Sequence, residues 1–249
     1  MRIENINPSV HAITVVLVDE ALRAADDADR RLVAGEEVGA LHGVRCTIKE
    51  KVDPVGNPTP RGLVPLEYVA SDVDAPQIAR ASRPRARSGS RARTSLSYPS
   101  VGLRRAVCAA PRSTQTPGRS TGGDAVAPAT GMTPLGVGTR FGGSLRVPSQ
   151  RCGTAALRPT LGLIAQANAL DAFCEPFLAR QPFNMARRAQ GLRLAFGAMA
   201  GGLPQGVQVI GGRCREEACL DAAQAIEEQL GIVAPIEPPS DLISAAQAH

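Results

Sequence analysis

The chain reads as an α/β protein, with helices and short strands interspersed along its length. Three observations predict this. Gly206-Val207-Gln208-Val209-Ile210-Gly211-Gly212 is an apolar run bounded by glycines, the pattern of a buried strand. Glu216 to Leu230 places Cys219, Ala222, Ala223, Ile226 and Leu230 on one helical face, with Gly231 as a stop. Near the N-terminus, a helix-forming stretch precedes a short strand that ends at Lys49-Glu50.

Taken in order, residues 1–11 read as a polar lead. Ala12 to Ala34 predicts a helix, because Val15, Val18, Leu22 and Ala25 fall at helical spacing and Gly35 closes it. Leu41 to Glu50 predicts a turn feeding a strand, and Val52 to Thr59 a loop broken by Pro54, Gly56 and Pro58. Ala75-Pro76-Gln77-Ile78-Ala79 predicts a helix start with proline in its first turn. Residues 80–112 show neither helical nor strand period and predict a stretch without regular structure. Ala125 to Thr130 has helical composition, but Pro128 opposes a helix there. Leu135 to Thr139 suits a short strand, and residues 152–166 a strand and turn. Residues 167–203 carry no period that separates helix from strand, and Pro235 to His249 reads as a loosely held tail.

Composition narrows the function classes. Ten arginines lie between Asp74 and Asp124, a stretch without Asp or Glu; without them the net charge of +5 becomes −5. One segment therefore makes the chain basic. That segment has one aromatic, Tyr98, and no amphipathic period, which argues against a nucleic-acid surface. Only two of the 28 basic residues are lysines, Lys49 and Lys51. Six cysteines are scattered without disulfide or zinc spacing, as expected of reduced thiols in a cytoplasmic protein. The N-terminal stretch has Glu4 and Asp19 and no sustained apolar run, so neither a signal peptide nor a membrane span is expected there.

The chemistry rests on serines and a lysine. His11, His42 and His249 lie away from any serine motif, which argues against a Ser-His-Asp triad. No phosphate-binding loop, dinucleotide fingerprint or metal-ligand cluster is present in the sequence. Ser120 and Ser144 sit in glycine-rich turns, where the backbone approaches a substrate closely and exposes N–H groups. The backbone at Phe141, Gly142 and Gly143 is placed to hold a developing oxyanion. A serine without histidine needs another base, and a desolvated lysine is the main option; Lys49, beside Ile48, fits.

These residues resemble a known family. Gly43-Val44-x-Cys46-Thr47-Ile48-Lys49-Glu50 resembles the lysine-bearing strand of amidase-signature enzymes. Pro117-Gly118-x-Ser120-Thr121-Gly122-Gly123, and then Gly131 through Gly142-Gly143-Ser144-Leu145-Arg146-x-Pro148, resembles their signature segment. Gly202 to Gly211 resembles the family's C-terminal strand, and Cys219 to Ala223 the helix after it. The resemblance implies a mixed β-sheet flanked by helices, here incomplete, in a single truncated domain over 1–235. It implies hydrolysis of carbon–nitrogen amide bonds in small molecules, without metal or cofactor. By position, Ser144 matches the nucleophile, Ser120 the bridging serine and Lys49 the base, whose pKa burial must lower.

The pattern also breaks. Arg140 stands where the family usually has Asp, and Arg119 where it has glycine; Thr121 replaces a second serine. Residues 80–112 and 182–200 have the texture of GC-rich DNA read in a shifted frame, and a long central portion is missing. Two alternatives to an active amidase therefore stand: an inactive remnant, and a nucleic-acid-binding protein using the arginine run. The sequence leaves substrate identity and oligomeric state open.

Overall fold

The computed structural model describes residues 2–52, 54–59, 68–81, 91–94, 116–118, 120–139, 143–160, 163–164, 190–198 and 204–231. Helix α1 (Arg2–Val10) opens the chain, followed by strand β1 (Ile13–Val16) and helix α2 (Val18–Val33). The helix expected from Ala12 thus starts six residues later, and the expected polar lead is helical. The cause is local. The Asn7 side chain accepts a bond from Ile13 N–H and donates one to Ile13 C=O, both at 2.8 Å, as a neighbouring strand would. Ile13, Val15 and Val16 are β-branched and suit a strand. Val18 and Leu22, expected on a buried face of α2, are exposed; Ala28 is that helix's buried residue.

Strand β2 (Cys46–Lys49) appears where expected, with all four residues buried. Burial on both faces suits an inner parallel strand. It lies between β3 (Arg91–Thr94) and β4 (Leu135–Val137) in a sheet ordered β1-β3-β2-β4; β2 is parallel to both neighbours and β1 is antiparallel to β3. The expectation of no regular structure across 80–112 therefore fails at Arg91–Thr94. Main-chain pairing with β1 and β2 makes that strand, and it needs no apolar period. Helix α3 (Pro76–Ala81) starts at Pro76, as expected. Its Ile78 packs with Cys46, Ile48, Val52 and Ala75 on one side of the sheet.

Helix α4 (Gly122–Ala129) forms despite Pro128, which sits in its last turn. There the loss costs little: Pro128 donates no bond to the Asp124 carbonyl, but the helix ends one residue on, and at the next position Thr130 Oγ1 donates to the Val126 carbonyl at 2.8 Å. Ala125, Val126 and Ala127 pack against Ile6, Val10 and Ile13, and Arg2 Nε donates to Thr130 C=O at 2.7 Å. A helix not foreseen in the sequence, α5 (Arg146–Cys152), follows the Gly-Ser turn and ends at left-handed Gly153.

The second sheet is antiparallel, ordered β5-β6-β7, from β5 (Ala156–Arg158), β6 (Gln190–Ala198) and β7 (Pro204–Gly211). Helix α6 (Glu216–Leu230) covers one face through Cys219, Ala223 and Ile226, against Leu157 and Val209. Ala222 and Leu230, expected on that face, are exposed: a three-stranded sheet is too narrow to cover the whole stripe. The tail from Pro235 lies outside the described residues.

Candidate active site

Parallel pairing sets the site. Cys46, Thr47 and Ile48 of β2 stand opposite Leu135, Gly136 and Val137 of β4. Lys49 therefore ends its strand level with Gly138, with Thr139 just beyond. Both lie at the carboxyl ends of parallel strands, the edge where α/β sheets gather functional groups. The close approach of α4 to β4 depends on Gly136, because a Cβ there would lie 2.7 Å from the Asp124 carbonyl oxygen.

Lys49 is fully buried, with 0% of its surface exposed. A buried amine needs polar partners. Its Nζ lies 2.6 Å from Ser120 Oγ, 2.8 Å from Thr121 Oγ1 and 3.3 Å from the Thr139 carbonyl oxygen. Thr121 Oγ1 donates to that same carbonyl at 2.9 Å. Ser120 and Thr121 lead directly into α4, so helix and strand together hold this cluster.

Ser144 approaches from the other side. It stands two residues before α5, and its carbonyl accepts from Thr121 N–H at 3.3 Å. Gly118 allows the two serine-bearing turns to meet. Its φ is +97°, and a Cβ there would come within 2.9 Å of Val147 Cγ1 on α5. Arg151 Nη1 donates to Thr116 C=O at 3.0 Å, closing the same contact from the far end of α5. Arg146 Nη1 donates to Gln208 Oε1 and ties α5 to β7.

Of the residues singled out in the sequence, Lys49 and Ser120 share a hydrogen bond, and Ser144 stands beside them through the Thr121 backbone. Among the described residues, no hydrogen bond continues from Ser120 Oγ to Ser144 Oγ. Gly143 is half-buried, and its carbonyl accepts from Val147 N–H at 2.9 Å. Phe141 and Gly142 lie outside the described residues, as do Arg119 and Arg140. Two partners were missed as such: the Thr121 hydroxyl and the Thr139 carbonyl. Adjacency of Thr121 to Ser120 signalled the first; nothing in the sequence marks the second.

Cys152, the last residue of α5, is buried, which pushes its thiol up to about 12 against the opposing pull of Arg151. It is an inert packing group and not a nucleophile. Among the described residues no cluster of His, Cys, Asp or Glu suits a metal ion, and no helix is long and apolar enough to cross a membrane.

The family model for amidases matches residues 1–201. This chain belongs to the amidase family. It is 34% identical over 210 residues to an indoleacetamide hydrolase from Bradyrhizobium diazoefficiens, covering 80% of this chain and 39% of that protein. It is 30% identical over 210 residues to a glutamyl-tRNA(Gln) amidotransferase subunit from Cyanothece, covering 82% of this chain and 42% of that one. Among solved structures, a bacterial aryl acylamidase of the amidase-signature family aligns with a TM-score of 0.59 at 25% identity, over 69% of this chain and 36% of that chain. The peptide amidase from Stenotrophomonas maltophilia aligns with a TM-score of 0.56 at 25% identity, over 66% and 36%. The expected amidase-signature α/β fold is therefore present, in part. This amidase-family chain spans about two fifths of the length of the curated relatives it matches.

Proposed function

We propose that the chain hydrolyses carbon–nitrogen bonds of small-molecule amides, with Ser144 as nucleophile, Ser120 as bridge and Lys49 as base. The observation that carries the reading is the buried 2.6 Å contact between Lys49 Nζ and Ser120 Oγ. Burial disfavours the charged amine, and a neutral amine accepts a proton. Lys49 takes the proton of Ser120, which takes that of Ser144. The Ser144 oxygen attacks the amide carbon, and backbone N–H groups from Phe141 to Gly143 hold the oxyanion. The carbon–nitrogen bond breaks as the proton passes back to the leaving amine. Water then cleaves the Ser144 ester, releasing the acid and restoring the serine.

The test is release of ammonia or amine from a panel of simple amides, with Ser144→Ala as control. Turnover in the wild type and its loss in the variant are expected; equal rates in both proteins would refute the assignment.

One observation favours a second reading, that of an inactive remnant. Large apolar side chains lie exposed on the described elements, among them Leu22, Val33 and Ile210. Thermal melting followed by circular dichroism separates the two. A remnant melts without a cooperative transition.

A further inference from the structure

We propose that helix α2 is a self-pairing surface: a second copy of this chain docks on it antiparallel, its own α2 covering Val18, Leu22, Ala25 and Leu32.

Two stripes on α2 carry the proposal. The first is largely apolar. Val18, Leu22, Ala25, Asp29 and Leu32 follow one another at steps of four and three residues, the spacing of a seam between two helices. All five are exposed, and Val33 beside them is 90% exposed. The buried and half-buried alanines Ala21, Ala24 and Ala28 face the fold, so the helix turns its large apolar side chains outward. A single surface leucine needs no partner, but Val18, Leu22, Leu32 and Val33 on one helical face form a continuous strip.

The second stripe says what covers the first. One residue after each of the first four stand Asp19, Arg23, Asp26 and Arg30, all exposed. They share one flank of the strip, and their charges alternate in sign. Laid antiparallel across a copy of itself near Ala25, the helix sets Asp19 against Arg30 of the copy and Arg23 against its Asp26. By the two-fold symmetry of such a pair, each of these contacts occurs twice. Laid parallel in register, the helix sets every one of these charges, and Asp29 as well, against its own kind. The order of charges therefore fits a second copy in the antiparallel direction. Within the helix, Arg23 Nε donates to the Asp19 carbonyl at 3.2 Å and Arg30 lies 3.6 Å from Asp27. A guanidinium carries five N–H groups, so both arginines can serve the copy as well.

Size sets the strength. A helix of 16 residues is about 24 Å long, and one face of it falls well short of the roughly 800 Å² per partner in a stable complex. The pair is weak and reversible, with a dissociation constant on the order of 10–100 µM.

Sedimentation equilibrium of the whole chain over about 1–300 µM tests this, whether or not the protein turns over amides. The wild type passes from monomer to dimer across that range. Leu22→Gln combined with Leu32→Gln, both at exposed positions, stays monomeric. Asp19→Arg alone and Arg30→Asp alone each turn two attractions in the dimer into repulsions, and weaken self-association about tenfold. Mixed in equal amounts, these two variants pair with one another at close to wild-type strength, because every reversed charge then meets its opposite. If circular dichroism shows that either single variant has lost helix, Arg23→Asp and Asp26→Arg replace the pair with the same expectations.

A wild type that stays monomeric throughout leaves the strip to another protein and overturns the proposal. Dimerisation that survives the loss of both leucines puts the contact on another face and also overturns it, as does a mixture of the reversed variants that pairs no better than either alone.

Discussion

Gly138→Ala tests how tightly the lysine cluster is built. A Cβ at position 138 would collide with Thr121 Cγ2 and stand 3.1 Å from Leu145 Cδ1. Thr121 is not free to yield, because its hydroxyl is bonded to both Lys49 and the Thr139 carbonyl. Overpacking of this kind costs roughly 1–3 kcal/mol. Turning Thr121 aside adds the loss of up to two buried hydrogen bonds, at about 1 kcal/mol each. The sum is roughly 1–5 kcal/mol, which in a chain of this size lowers the melting temperature by roughly 2–20 °C. Thermal melting by circular dichroism reads it. Gly212→Ala is the control: a Cβ there meets nothing nearer than Arg215 Cγ at 3.9 Å, so its melting stays close to wild type. Adding Thr121→Ser to Gly138→Ala removes the colliding methyl and restores at least half of the loss. The reasoning is wrong if Gly138→Ala melts with the Gly212 control, or if the double variant melts no higher than Gly138→Ala.

Other predictions follow from the same geometry. Lys49→Met lowers amide hydrolysis by about a hundredfold or more, yet shifts melting little, because removing a buried amine also removes its desolvation cost; wild-type turnover in this variant excludes Lys49 as base. Cys214 is exposed and reacts with iodoacetamide in the native protein, whereas Cys152, with its thiol pushed up to about 12, is alkylated only after unfolding; peptide mass spectrometry distinguishes them. Glu216 accepts bonds from the Thr160 hydroxyl and from Thr160 N–H, the latter at 2.7 Å, and these hold its carboxyl below the ordinary 4.5. Its folded pKa being the lower one, its contribution is present above the unfolded value and lost as pH falls through the folded one. Glu216→Gln should therefore flatten the fall in melting temperature on acidification below about pH 4.5; a slope identical to wild type would show that this bond has no part in acid stability.

Strands with strong local patterns were legible. The strands at Cys46–Lys49 and Pro204–Gly211 form where their patterns predict them, but the second is not the buried strand expected, since its Val207 and Ile210 are exposed; Glu216–Leu230 combines acids at its start with glycine at its end. Elements made by distant pairing were not. Arg91–Thr94 has no strand signature and becomes one because β1 and β2 offer main-chain partners on both sides. Likewise, the start of α2 depends on Asn7 pairing with Ile13.

The site divides in the same way. Sequence alone singled out the candidate residues: a lysine closing a strand, and two serines in glycine-rich turns, in an order that resembles the amidase family. Chemical type and spacing are local properties, and the sequence holds them. Only the tertiary structure decided that Lys49 is fully buried, that Ser120, 71 positions away, is its nearest partner, and that Thr121 and the Thr139 carbonyl join its surroundings. The reason is that parallel strands and the α4 helix bring together groups far apart in the chain. The surroundings of a buried amine belong to that packing and to no single residue.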